Sequence, residues 1–292
     1  MSISTIAVAN YSLVLVILGT TFNLLTFAIL CRSKFRRLQF QLTLNPMRVM
    51  AIVDILMLYG WNFDHYLNRI FGFTLQRTSM SLCRFLSFFN YFLLQSSAWL
   101  RVFVCFERYL SLTRFYPLCF NDLKRTLIIL GGILIFFALF NSIFLIYGCS
   151  FTNDGQIQVQ SWAFAIYPLW NHIHLVLYNF LPFILMTLFN IGIIYQLIRH
   201  NHNNLPAQYC SITLTLLLTT ILFLIMTLPS TVAFEFVSTS DVTILNLLDC
   251  ILYTYHILSL PLYLITYRKF RREFFAIIRC KYKEIIRIRP IY

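Results

Sequence analysis

The chain has 292 residues, of which 59% are apolar and 11% charged, against roughly 25% charged in an ordinary soluble domain. No single core in water could bury that much apolar surface, which excludes a cytosolic enzyme, a disordered chain and a secreted disulfide scaffold. A mean hydropathy of +0.74 points instead to a polytopic membrane protein, on which the net charge of +13 is a matter of sidedness rather than of nucleic-acid binding.

Residues 1–31 carry no charged side chain. A spanning helix needs about 20 apolar residues, so 11–31 is the first predicted span, serving as its own insertion signal rather than as a cleaved leader. Further spans are predicted near 42–63, 82–112, 127–147, 171–198, 209–236 and 243–267. The runs are long and continuous, unlike the short alternating strands of a membrane barrel. Between the fourth and fifth spans, Asn153-Asp154-Gly155 lies between alternating segments, the signature of a β-hairpin. After the last span, Phe270, Phe274, Phe275 and Ile278 recur at helical spacing among Arg271, Arg272 and Glu273. That predicts a helix over 268–280 lying on the membrane surface. The expected fold is an all-α membrane protein, a single seven-helix domain over 1–292 with a short amphipathic C-terminal helix and an extracellular β-hairpin.

Lys and Arg cluster in alternate loops. Arg32, Lys34, Arg36, Arg37, Arg114, Lys124, Arg125, Arg199, Arg268, Lys269, Arg271 and Arg272 fall on one side, with the basic tail after Arg279. The other side has only Arg69, Arg77 and Arg84. Positive charge stays cytoplasmic, so the N-terminus is expected outside, the C-terminus inside, and the basic face against anionic lipid.

Particular residues narrow the class. Glu107-Arg108-Tyr109 ends the third span, and Cys83 stands 24 residues before Glu107. Cys149 follows the fourth span. The first span has Gly19 and Asn23, the second Asp54, the fifth Pro182, the sixth Phe223 and Pro229, and the seventh ends Pro261-Leu262-Tyr263. Together, in this order and spacing, the set resembles the rhodopsin-like (class A) G-protein-coupled receptors over essentially the whole chain. It resembles a divergent member. The fourth-span Trp of that family is missing, Thr227 stands at its sixth-span Trp, Ser259 at its seventh-span Asn, and Asn190 at its fifth-span Tyr.

The resemblance implies a plasma-membrane receptor that turns binding of an extracellular ligand into activation of a heterotrimeric G protein. Glu107, Arg108, Tyr109, Phe223, Pro229 and Tyr263 are then the coupling and switch residues. Cys83 and Cys149, both on the oxidising side, are expected to form a disulfide. Cys280 is a candidate for palmitoylation, and Asn10, in Asn10-Tyr11-Ser12, for glycosylation. Peptide receptors of the family commonly carry a hairpin in the second outer loop, and Asn90 stands where amine receptors have an Asp. A neuropeptide is therefore the first expectation for the ligand, with a chemosensory small molecule second. The expected pocket lies between the outer halves of spans three, five, six and seven, with Asn90, Gln95, Trp170, His172, Glu235 and His256 contributing.

Inside the membrane the polar residues are Asn23, Asp54, Ser97, Arg101 and Ser259. Asn90, Ser97, Arg101 and Arg108 fall on one face of the third span, since steps of four, seven and eleven nearly complete whole turns. A charge at that depth costs about 2.5–3.5 kcal/mol on insertion scales, so Arg101 needs a partner. Asp54 is the expected one, the pair standing in for the sodium ion that family receptors hold there.

Other classes fit less well. A transporter would be expected to show inverted repeats or broken helices; no half-to-half similarity is legible, and seven unequal spans in 292 residues fit it poorly. A membrane enzyme would need a catalytic cluster, and neither paired carboxylates nor a metal constellation occurs. No enzyme activity, cofactor or metal is expected. Lys is absent between Lys124 and Lys269, which removes the retinal attachment that photoreception requires.

Overall fold

The structure is a computed structural model that describes residues 3–32, 38–112, 123–159, 167–199, 207–236 and 242–288. In chain order it runs α1 (Ile3–Leu30), α2 (Leu38–Gly60), α3 (Asn62–Phe71), a 3-10 turn (Leu75–Arg77), α4 (Met80–Ser111), α5 (Leu123–Asn141) and α6 (Ile143–Tyr147). The strands β1 (Ser150–Phe151) and β2 (Ile157–Gln158) follow, then α7 (Tyr167–Leu175), a π-turn (Val176–Phe180) and α8 (Leu181–Arg199). The chain continues through α9 (Ala207–Phe236), α10 (Val242–Tyr255), α11 (Ser259–Thr266) and α12 (Arg268–Ile288).

Local chemistry sets several boundaries. Ser79 caps α4, its Oγ accepting the Leu82 N–H at 3.2 Å. Gly72, at φ 67°, closes α3 in the left-handed region that a side chain disfavours. Gly155, at φ 73°, turns the chain between β1 and β2, which pair antiparallel with Phe151 opposite Ile157. The expected second span, 42–63, is cut at Gly60, and α3 takes over from Asn62.

α4 is the axis of the bundle. It packs on α2, α5, α6, α8 and α9, while α1 closes the ring against α2, α10 and α11. The core is continuous, from Leu15 and Leu58 through Leu93, Leu100 and Phe103 to Phe223, Tyr255 and Tyr263. The opposite surface is also apolar. Ile128 on α5 is 71% exposed, Leu139 69%, and Ile198 on α8 76%. Water would not tolerate such a belt on a monomer, whereas lipid would.

Four helical stretches are long and apolar enough to cross a membrane, 6–30, 123–147, 172–199 and 214–233. The bent pair α10–α11, at 44°, makes a fifth if taken as one span. α2 and α4, expected as the second and third spans, are too polar to be counted with them. α2 holds Asn45, Arg48 and Asp54, and α4 holds Arg84, Arg101, Glu107 and Arg108. The fold is therefore that of an all-α, multi-pass membrane protein. The hairpin marks one end of the bundle and Arg108 the other.

Candidate functional site

The middle of the bundle holds a buried ion pair. Arg101 on α4 directs Nη2 to Asp54 Oδ1 on α2 at 2.9 Å. Its Nε donates to the Tyr255 hydroxyl at 2.9 Å, and its Nη1 donates to the Ser97 carbonyl at 2.8 Å and to the Ser97 hydroxyl. The guanidinium also lies 5.0 Å from the Phe223 ring centroid and 4.8 Å from that of Tyr255, within cation–π range. Asp54 Oδ1 accepts a second bond from His256 Nδ1 at 2.7 Å.

The network then reaches α1. Asn23 Nδ2 donates to the His256 carbonyl at 2.8 Å, and Ser259 Oγ donates to Asn23 Oδ1 at 2.8 Å. These bonds occupy the bend between α10 and α11, where α-helical bonding gives way to tighter bonds such as Leu258 N–H to Tyr255 O. Asn23 thus accounts for a carbonyl that the bend would otherwise leave unpaired in lipid. A cavity of about 30 Å³ lies on the Arg108 side of the pair, against Asp54, Arg101, Ser259 and Tyr263. It has room for water and not for a ligand.

At the Arg108 end, the Arg108 Nε lies 3.7 Å from Glu107 Oε2, with both side chains buried. Tyr109 packs on α8 at Gly192, where an added Cβ would come within 2.6 Å of the Tyr109 ring. Tyr263 meets Phe270 of α12 edge-on at 5.4 Å, and Arg32 reaches Glu273 at 3.4 Å, so α12 is tied to the bundle on both sides. Pro229 lies inside α9, and Thr227 directs its hydroxyl to its own helix at Phe223 O.

At the hairpin end, Cys83 in the first turn of α4 is bonded to Cys149, next to β1. A cavity of about 410 Å³ lies beside them. Its walls come from the end of α2, α3, the 3-10 turn, α4 and β2, with Trp61 and His65 stacked at 4.5 Å. Asp64 accepts the Leu75 N–H at 2.5 Å. Burial raises its carboxyl above the ordinary range, against the pull of the Leu75 and Gln76 amides and of Arg77. Burial, helped by Arg69, depresses His65 to about 4. The imidazole is thus neutral at pH 7, hydrogen-bonded through Nδ1 to Ser12 Oγ at 3.1 Å.

The residues expected to line one ligand pocket are dispersed. Asn90 stands in the wall of the 410 Å³ cavity. Gln95 is buried between α5 and α7, taking a bond from Asn141 at 2.7 Å and donating to His174 at 3.3 Å. Trp170 packs in an aromatic cluster with Tyr91, Phe140 and Phe144. His172 is exposed on α7, and His256 belongs to the ion-pair network. Asn10 is exposed on α1, with Ser12 of its sequon buried. The Glu235 and Cys280 side chains, and residues 34–37 and 114–120, lie outside the described residues.

Sequence reasoning reached Asp54 and Arg101 from one helical face. It did not reach Tyr255, the His256 link to Asp54, or the Gln95–Asn141–His174 bonds. Another buried acid, Asp249, takes a 2.8 Å bond from Ser230. The only signal for these was a polar residue in an apolar span, which requires a partner but does not say which.

Helices, belt and buried charges define a multi-pass membrane protein built around a buried Arg–Asp pair. No protein-family model matches the chain, and no curated protein matches it.

Proposed function

We propose that the chain is a divergent seven-helix receptor of the rhodopsin-like type, carrying an extracellular signal to a cytoplasmic G protein. The observation that carries this reading is the equipment of a single helix, α4. One end is fastened to a hairpin by Cys83–Cys149, its middle holds the buried Arg101–Asp54 ion pair, and its far end buries Arg108 beside Glu107. A helix anchored at one end and charged at the other suits transmission of a signal along its axis.

In this reading α2 and α4 join the five apolar spans to make seven. The hairpin end is extracellular, and the basic end, with α12 on the lipid surface, is cytoplasmic. The protein resides in the plasma membrane. Glu107–Arg108 is the closed state of the coupling site, and opening frees the guanidinium for the G protein. Arg101 supplies the counter-charge to Asp54 that a sodium ion supplies in the resembled family.

The test is a G-protein recruitment reporter in cells, screened against a peptide library. The expected result is recruitment that Arg108→Ala abolishes at unchanged surface expression. Recruitment that survives Arg108→Ala, or none under any ligand, overturns the reading. Raising sodium is expected to leave agonist affinity unchanged in a competition assay, and a clear sodium dependence would refute the counter-charge role of Arg101.

A further inference from the structure

The 410 Å³ cavity at the hairpin end is of small-ligand size, within the usual range of about 300–1,000 Å³. Its walls are unusual for a small-molecule site, which is mostly apolar. Four carboxamides line it, Asn68, Gln76, Asn90 and Gln158, from α3, the 3-10 turn, α4 and β2. Their side chains make no hydrogen bond among the described residues, although each offers a donor and an acceptor. Asp64 is engaged with the Leu75 and Gln76 backbone. Arg77, exposed at the rim, makes no side-chain hydrogen bond there and remains available to an anion. Gly60 has a specific part: a Cβ on it would stand 2.1 Å from Asn90 Oδ1. The absence of a side chain at Gly60 is what lets the Asn90 amide occupy this wall.

We infer that this cavity, between α2, α3, α4 and the hairpin, is the ligand-binding site, and that it takes a short peptide segment bearing a carboxylate. The chemistry is reciprocal. Carboxamides pair with peptide N–H and C=O groups in both senses, and the guanidinium takes a carboxylate as a charge-assisted, bidentate contact. An apolar odorant would desolvate four amides and a guanidinium and return no bonds, a cost of at least 1 kcal/mol for each group left unpaired. The Trp61–His65 stack and Val159 supply apolar wall, suited to a side chain or to the aliphatic part of a residue.

The inference rests on the receptor reading, and its test separates the two. The full chain, purified into lipid nanodiscs, is heated with three probes: pools of tripeptides with a free carboxylate, the same pools amidated, and a panel of straight-chain aldehydes and terpenes. A carboxylate pool is expected to raise the unfolding midpoint, with the amidated pool at least about tenfold weaker, as befits the loss of one charged contact. Arg77→Gln should erase the difference between the two pools. Asn90→Leu should weaken both by about tenfold, and Gly60→Ala, which displaces the same amide from a neighbouring helix, should reproduce that effect. The midpoint without probe controls for folding. The assignment is overturned if no tripeptide pool shifts the midpoint, if the shift ignores these variants, or if only the apolar panel acts. Peptide binding that the variants abolish, without G-protein recruitment in cells, keeps the site and removes the receptor reading. Ligand-driven recruitment indifferent to the variants does the reverse.

Discussion

Asp54 accepts from both Arg101 and His256 through the same oxygen, so each partner holds the other in place. Breaking a buried pair by removing one member costs about 3–5 kcal/mol, because the remaining charge is stranded, whereas replacing both can be nearly neutral. Arg101→Leu is therefore expected to lower the unfolding midpoint of the purified protein sharply, and Asp54→Asn combined with Arg101→Leu to recover much of the loss. A double variant as unstable as the single one would show that Arg101 acts by packing on Phe223 and Tyr255 alone. His65 gives a second residue-scale expectation. Its pKa is depressed to about 4 in the folded protein, from 6.5, so the unfolded chain binds more protons between those values. Stability is whole above about pH 6.5 and falls as the pH drops toward 4. His65→Asn should flatten that slope in midpoints measured from pH 7 to pH 5. An unchanged slope would assign it to other groups.

Among the elements, α1 lies very close to its neighbours. A Cβ at Gly19 would stand 2.1 Å from Leu58 Cδ1 and 2.4 Å from Ile257 Cγ2. Gly19→Val should destabilise by about 1–3 kcal/mol through overpacking, read as a lower midpoint, and a neutral result would show that these side chains swing aside freely. The hairpin depends on a different device. Cys83–Cys149 closes a 66-residue separation, and removing such a bridge from a folded domain costs typically about 2–4 kcal/mol. Cys149→Ser should lower the unfolding midpoint by a comparable margin and expose the hairpin to protease before the helices. At this scale the sequence was most legible. The hairpin, the amphipathic C-terminal helix and the run of long helices follow from turn chemistry and from periods of two and 3.6. The α10–α11 bend was legible only in part: Pro261 has no N–H to return to the Ile257 carbonyl and so marks a break there, but nothing in the sequence gives its angle or its moorings at Asn23 and Asp54. α12 extends beyond the expected 280 because the tail keeps helix-forming Lys, Glu and Ile.

For the molecule as a whole, sidedness is the strongest message of the sequence, and the placement of sites around the bundle axis the weakest. Lys and Arg counts need only chain order, whereas a site needs the rotation of each helix about its own axis, which an all-round apolar span leaves unspecified. Asn90, Gln95 and His256 read alike as polar marks in apolar helices, yet one lines a cavity, one joins α4 to α5, and one meets Asp54. The basic bias predicts that an N-terminal epitope is stained on intact cells and a C-terminal one only after permeabilisation. Staining of both on the same side would mean an even number of crossings.

The bend at His256 also has a mechanical meaning. α11 has 8 residues, an arm of about 12 Å at 1.5 Å per residue. A further 10° of rotation at its root would carry the far end, beside Tyr263 and Phe270, through about 2 Å. The root is moored by Asn23 and Asp54 rather than by continuous helix bonding. A rotation of that size at the root would be geared up into a displacement at the seat of α12.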